Sequence, residues 1–249
     1  MSNWVSNGPC PSCGSKDNLG TWDGGHQWCW GCGYHVPGDA FYAVRKLGEP
    51  PQQADPKQVV LPHDVDVNYP QKALDWVAKY EITRSDLYKN RVLWSDGSEL
   101  LIFSFIDSEG RIIAWQGRNF GTKYRTKWFG RGQLEDTFVF FPRDTKRVDR
   151  IIFVEDILSA IKIGNVIEQR GLSYAAMPVF GSHISKKRLS RCLFILNDPP
   201  KVTFWLDRDK AKESIQFTNN ASSLGFTAST IITEFDPKEI SYDNFPKLN

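Results

Sequence analysis

The sequence predicts an α/β protein in three parts: an N-terminal four-cysteine, metal-held module, a basic α+β subdomain, and a parallel sheet with helices on both faces. Three observations predict it. Cys10-Pro11-Ser12-Cys13 and Cys29-Trp30-Gly31-Cys32 are two CxxC pairs separated by fifteen residues. Two β-rich runs, 100–106 and 111–115, are joined by the four turn-type residues Asp107-Ser108-Glu109-Gly110. After Arg150, short and nearly continuous apolar runs alternate with helical patterns, as in a sheet whose crossover helices bury both faces. With 249 residues and 41% hydrophobic composition, the chain can bury a sizeable core. It has no secretory start and no apolar run near the roughly 20 residues that span a bilayer, so a cytoplasmic protein with no membrane partner is expected.

In the zinc-binding module expected over 1–48, the first 40 residues are rich in Gly, Cys and Trp, with hardly any apolar periodicity, as in a small module that needs a metal to fold. Four of the five cysteines lie within the first 32 positions, which argues against a spread-out disulfide framework and for one structural Zn2+ held by Cys10, Cys13, Cys29 and Cys32. His26 and His35 read as surface residues and Cys192 as a buried thiol. Trp22, Trp28, Trp30 and Tyr34, with His26 and Lys16, would give the module a face for stacking on unpaired bases, about half of these aromatics being needed for its own core. A helix is expected from Asp39 to about Gly48. Residues 49–62, with Pro50, Pro51 and Pro56, read as a linker.

Residues 63–149 form the expected basic subdomain. Helical spacing of Ala73, Leu74, Trp76, Val77 and Tyr80, then Thr83 as a cap, predicts two short helices, followed by the hairpin and a strand over Thr137–Phe141. Net charge is only +2, but 111–150 holds ten basic residues against four acidic ones. A polyanion suits such a segment; a solvated basic face is the plain alternative. In 150–249, strands are expected at 151–154, 176–180, 202–206 and 228–232, with helices at 156–169, 185–196 and 210–224. Glu155 then follows the first strand, and Asp207 and Asp209 follow the third, at the sheet edge where ligands bind. Like charges gathered there call for a cation, and hard oxygen donors suit Mg2+ or Mn2+.

Val154-Glu155, Phe180-Gly181-Ser182-His183 and Leu206-Asp207-Arg208-Asp209-Lys210-Ala211 together resemble the TOPRIM domain of bacterial and phage-type primases, topoisomerases and some nucleases. Gly110-Arg111-Ile112-Ile113-Ala114-Trp115-Gln116-Gly117-Arg118 and Lys127-Trp128-Phe129-Gly130 are similar to the primase basic subdomain. The cysteine module followed by Asp39-Ala40-Phe41 resembles the primase zinc finger. The resemblance, nearest to the primase half of phage primase-helicases, implies a DNA primase making RNA primers on single-stranded DNA from ribonucleoside triphosphates, working with a separate helicase. It implies Glu155, Asp207 and Asp209 as the catalytic, magnesium-binding set, with Arg118 and Lys127, flanked by Arg111 and Arg125, on template or nucleotide phosphates and Trp28 on the finger. The sequence departs from the family where the first acid is followed by Gly and, four positions on, by Asp; here those positions are Asp156 and Ser159. Asp236-Pro237-Lys238-Glu239 is similar to a family Asp-Pro-x-Glu motif. A TOPRIM nuclease, using water as nucleophile, and a non-catalytic single-stranded DNA-binding protein are the alternatives.

Overall fold

The computed structural model describes residues 4–23, 25–36, 59–107, 110–134, 137–143, 145, 148–181, 184, 188–189, 192, 196, 201–246 and 248. The chain divides into two units, Met1–Asp55 and Pro56–Asn249. In the first, β1 (Trp4–Gly8), β2 (Leu19–Trp22), β3 (Gln27–Cys29) and β4 (His35–Val36) form an antiparallel sheet in chain order. Its apolar cluster is Cys10, Leu19 and Cys29 with Tyr34 against it, too small to hold a fold by burial alone. The helix expected from Asp39 lies outside the described residues, as do positions 49–58 of the linker. Positions 59–62 are described and belong to the second unit: Val59 and Leu61 pack on Leu100, Ile102 and Trp115, and Trp115 Nε1 donates to the Val60 carbonyl at 3.2 Å.

The second unit carries the two expected helices, α1 (Gln71–Ala78) and α2 (Arg84–Lys89), between the first two strands of its antiparallel sheet. Thr83 caps α2 in a reciprocal box: the Asp86 amide donates to Thr83 Oγ1 at 3.2 Å, and the Thr83 amide to Asp86 Oδ2 at 2.7 Å. An antiparallel sheet follows in the order β5 (Val65–Asp66), β6 (Val92–Ser95), β7 (Leu100–Ile106), β8 (Ile112–Asn119), β9 (Trp128–Gly132). The expected hairpin is β7–β8, but β8 continues past Trp115 to Asn119 because it has a further partner in β9, with Arg118 opposite Trp128. Alternation along β7 sends Leu101, Phe103 and Phe105 into the main core and Leu100 and Ile102 to the opposite face.

The strand expected over Thr137–Phe141 does not form. Phe138 and Phe140 pack against one core while Val139 and Phe141 pack against the other, so the alternation comes from a segment wedged between two cores. Only Phe141 pairs, exchanging both backbone hydrogen bonds with Ala176 at 2.9 and 2.8 Å.

The second sheet is parallel throughout, in the order β11 (Tyr174–Pro178), β10 (Arg150–Val154), β12 (Lys201–Phe204), β13 (Thr227–Thr230). Helix α3 (Ile157–Gln169) shares one face with Ile152 and Val154; α4 (Ala211–Ser223) brings Phe217 and Ala221 to Ile151 and Phe153 on the other. Most of the helix expected at 185–196 lies outside the described residues, although Arg188, Leu189 and Cys192 are buried. The chain leaves β10 for β11 on one side and returns to β12 on the other. That reversal opens a crevice at the carboxyl ends of β10 and β12, where ligands of open α/β sheets bind.

Candidate active site and metal centre

Each CxxC in the first unit is closed by the same turn. Gly14 N donates to Cys10 O and Gly33 N to Cys29 O, both at 2.9 Å, with the two glycines at φ of 70° and 72°. This left-handed conformation is one that Gly adopts without a Cβ penalty. The turns bring all four sulfurs within 4.8 Å of one another, with Cys10–Cys32 and Cys13–Cys29 at 3.7 Å. Zinc–sulfur bonds of about 2.3 Å arranged tetrahedrally put sulfurs about 3.8 Å apart, so the cluster fits one Zn2+. The Ser15 amide draws the Cys13 thiol down to about 6, whereas, against the pull of the Tyr34 amide, burial and the neighbouring cysteines push Cys32 up to about 11. His26 and His35 are not in the cluster: His26 stacks on Trp22 at 4.5 Å, and His35 lies 6.0 Å from Trp28. Trp28 and Trp30 are exposed and Trp22 half-buried, while Tyr34 joins the core. Trp30 lies across β2 because Gly20 leaves that space open.

In the second unit, Glu155 directly follows β10, and Asp207 stands three residues beyond β12. Burial, then repulsion from Asp207, pushes the Glu155 carboxyl up to about 7; burial also pushes Asp207 up to about 6, against the pull of Lys238. Asp207 Oδ1 is buried without a hydrogen-bond partner. Asp209 sits exposed in the 3-10 turn Arg208–Lys210, near enough to add to the repulsion on Glu155. Asp156 caps α3 with Oδ1, which accepts from the Ser159 amide at 2.8 Å. Its Oδ2 accepts from Lys238 Nζ at 2.9 Å; the same ammonium binds Asp207 Oδ2 at 2.9 Å and Asp236 Oδ2 at 3.0 Å. Hard oxygen donors with an orphaned Asp207 oxygen fit a divalent ion at Glu155 and Asp207. Among the described residues, however, only the four cysteines bring three or more potential ligand atoms within 4.8 Å of one another.

On the antiparallel sheet, the Arg118 guanidinium is half-buried among Trp76, Trp128 and Phe120, with ring centroids 5.0, 5.8 and 5.9 Å away. Its Nε is buried without a hydrogen-bond partner. Lys127 and Arg125 are exposed in the loop leading to β9. Arg111 is exposed but pairs with Asp107 at 2.8 Å.

No protein-family model and no curated protein sequence matches the chain. Solved structures do match. The primase fragment of the bacteriophage T7 primase-helicase aligns over 95% of this chain and 93% of its own, at 15% identity and a TM-score of 0.51. The Aquifex aeolicus primase, zinc-binding and RNA polymerase domains, aligns over 95% of this chain and 76% of its own, at 14% identity and a TM-score of 0.51. A DnaG primase catalytic domain bound to single-stranded DNA covers 72% of this chain and 70% of its own, at 13% identity and a TM-score of 0.54. The chain has the fold of bacterial and phage-type primases.

Within the primase fold, Ser159 is fully buried in the first turn of α3 and its hydroxyl has no partner, so it reaches nothing in the crevice. Asp156 spends one oxygen on the cap and the other on Lys238, and neither replaces an acid at position 159 directly. Asp156 is the neighbouring acid that the sequence offers in place of one at 159, whereas the ion pairs of Asp236 and Lys238 in the crevice were not anticipated from the sequence. The signal was present in Asp236-Pro237-Lys238-Glu239, whose Pro and paired acids mark a rigid capped turn. Among the described residues no helix is long and apolar enough to cross a membrane.

Proposed function

We propose that this chain is a DNA primase that copies a single-stranded DNA template into a short RNA primer by metal-dependent nucleotidyl transfer. The observation that carries the reading is the pairing of half-buried Glu155 and Asp207 at the ends of adjacent parallel strands, each with its proton affinity raised. Once ionised, such a pair favours a cation. Bound there, Mg2+ or Mn2+ would supply charge neutralisation for a nucleotide triphosphate. Glu155 and Asp207 would hold it, with Asp209 at the open side of the crevice. Arg118, oriented by its aromatic neighbours, and the exposed Lys127 would bind template or nucleotide phosphates, with Arg111 and Arg125 widening the basic surface. The zinc-held unit would present Trp28 and Trp30 for stacking on template bases. A separate helicase would supply unwound template.

One observation favours a second reading, a non-catalytic single-stranded DNA-binding protein: an ammonium already forms ion pairs with three of the carboxylates in the crevice. Purified protein incubated with varied single-stranded templates, Mg2+ or Mn2+ and labelled ribonucleotides separates the two. Short RNA products, lost in Asp207→Asn while DNA binding persists, are expected. Undiminished synthesis by that variant would remove Asp207 from the reaction, and zinc-dependent DNA binding without products would favour the second reading.

A further inference from the structure

Lys238 is seated as an ion is seated. Of the three N–H donors of the ammonium, two are given to Asp156 Oδ2 and Asp207 Oδ2 at 2.9 Å, and its charge also pairs with Asp236 Oδ2 at 3.0 Å. These acceptors come from the start of α3, the end of β12 and the turn that carries the lysine itself. The lysine side chain is only 13% exposed, so it is no solvated surface group leaning on an acidic patch.

The turn that presents it is fixed from several sides. Glu239 closes the turn Pro237–Glu239, its amide donating to the Asp236 backbone carbonyl at 2.8 Å and its Oε2 accepting from the Asp236 amide at 3.1 Å. Arg208 N donates to Asp236 Oδ1 at 3.2 Å, tying the turn to the chain just after Asp207. Ile240, directly after the turn, is buried in the core that also contains α3. Lys238 therefore stays in the crevice without needing any ligand to draw it there.

The ammonium satisfies only one side of Asp207. Oδ2 faces Lys238, while Oδ1 is buried with no partner. Glu155 makes no ion pair among the described residues. The acids thus divide into two groups: Asp156, Asp236 and one oxygen of Asp207 around an ammonium, and Glu155 with the other oxygen of Asp207, which have no ion-pair partner among the described residues and feel only the more distant charge of Lys210.

We propose that Lys238 is a built-in cation filling one of two cation positions in this crevice, so that the chain takes a single divalent ion, at Glu155 and Asp207, where the same acids without the lysine would take two. The inference rests on the metal-dependent reading of the site. It deepens that reading by assigning one of the two cation positions to the chain itself. The second position is then always occupied, whatever the divalent ion concentration.

The test counts ions. Zinc-loaded full-length protein is titrated with Mn2+ near pH 8, with the free ion followed by electron paramagnetic resonance, for wild type, Lys238→Met and Lys238→Arg. The wild type is expected to bind one Mn2+ per chain, Lys238→Met one more, and Lys238→Arg, which keeps the charge, the same number as wild type. An unchanged count in Lys238→Met, with its thermal unfolding transition intact, overturns the proposal. Anomalous scattering from Mn2+-soaked wild-type crystals tests it without any substitution: one peak beside Asp207 with Lys238 still on Asp156 supports it, and two peaks with Lys238 displaced overturn it. Wild type binding no Mn2+ while Lys238→Met binds one would leave Lys238 as the built-in cation and remove the metal-dependent primase reading, so the two ideas fail separately.

Discussion

Glu155 and Asp207 bind their protons more tightly in the folded protein than in an unfolded chain, where carboxyls titrate near pH 4. Burial is the leading cause for both, raising Glu155 to about 7 and Asp207 to about 6. Folding therefore takes up protons between about pH 4 and 7, and the stability these groups contribute is present at low pH and lost as pH rises through that window. Asp236 has the opposite sign: burial works against its charge, but Lys238 and the Arg208 amide outweigh it and hold its carboxyl low. The stability from Asp236 is lost only on acidification below the usual aspartate range, outside the window set by the other two. In the absence of divalent ions, the melting temperature of the second unit is expected to fall from pH 5 to pH 8. Asp207→Asn should flatten that fall, and Mg2+ or Mn2+ should raise the melting temperature more at pH 8 than at pH 5. Differential scanning calorimetry across the range checks this, and a melting temperature that rises through the window would contradict the burial of the two acids.

At the scale of single elements, α3 carries the acidic crevice at its N-terminus and lies close against the segment at Phe141. A Cβ on Gly164 would stand 2.6 Å from Phe141 Cβ and 2.9 Å from its carbonyl carbon. Gly→Ala in a helix interior ordinarily gains about 1 kcal/mol. Here the obstacle is partly backbone, which cannot rotate away, and overpacking costs about 1 to 3 kcal/mol. Gly164→Ala is expected to lower stability by about 1 kcal/mol net in urea titration, whereas a stabilised variant would mean that α3 and Phe141 are not in contact. Contacts of this kind explain what could be read from the chain. Thr83 with Asp86, Asp156 before α3 and the apolar runs of β10 and β12 carry their structure in neighbouring residues, so those elements, and the placing of Glu155 and Asp207 after strands, were legible. Thr137–Phe141 has the same alternation, but its cause is two cores that only the folded chain brings together. Strand β9 depends on β8 for its ladder. Lys238 was illegible as part of the site because its three partners lie as far as 82 positions away in the sequence.

For the whole molecule, the two units differ in what holds them together. The second buries several apolar clusters, among them the core shared by both its sheets and the layer between the parallel sheet and α4. Among its described residues the first buries the cluster of Cys10, Leu19 and Cys29, two of which belong to the four-cysteine group that fits Zn2+, so a bound metal would be its main support. Binding energy of structural Zn2+ in such modules amounts to about 10 to 16 kcal/mol, more than this cluster could supply by burial. Chelating the zinc, or replacing Cys29 by Ser, should therefore unfold the first unit and leave the second folded. Limited proteolysis would then cut freely within 1–55 and yield a stable fragment starting after that boundary, while the melting transition of the second unit stays within a few degrees of its original position. The exposed Trp28 and Trp30 should lose their fixed surroundings at the same time, and binding to single-stranded DNA should weaken. A first unit that resists proteolysis without zinc would show that the four cysteines are not its main support.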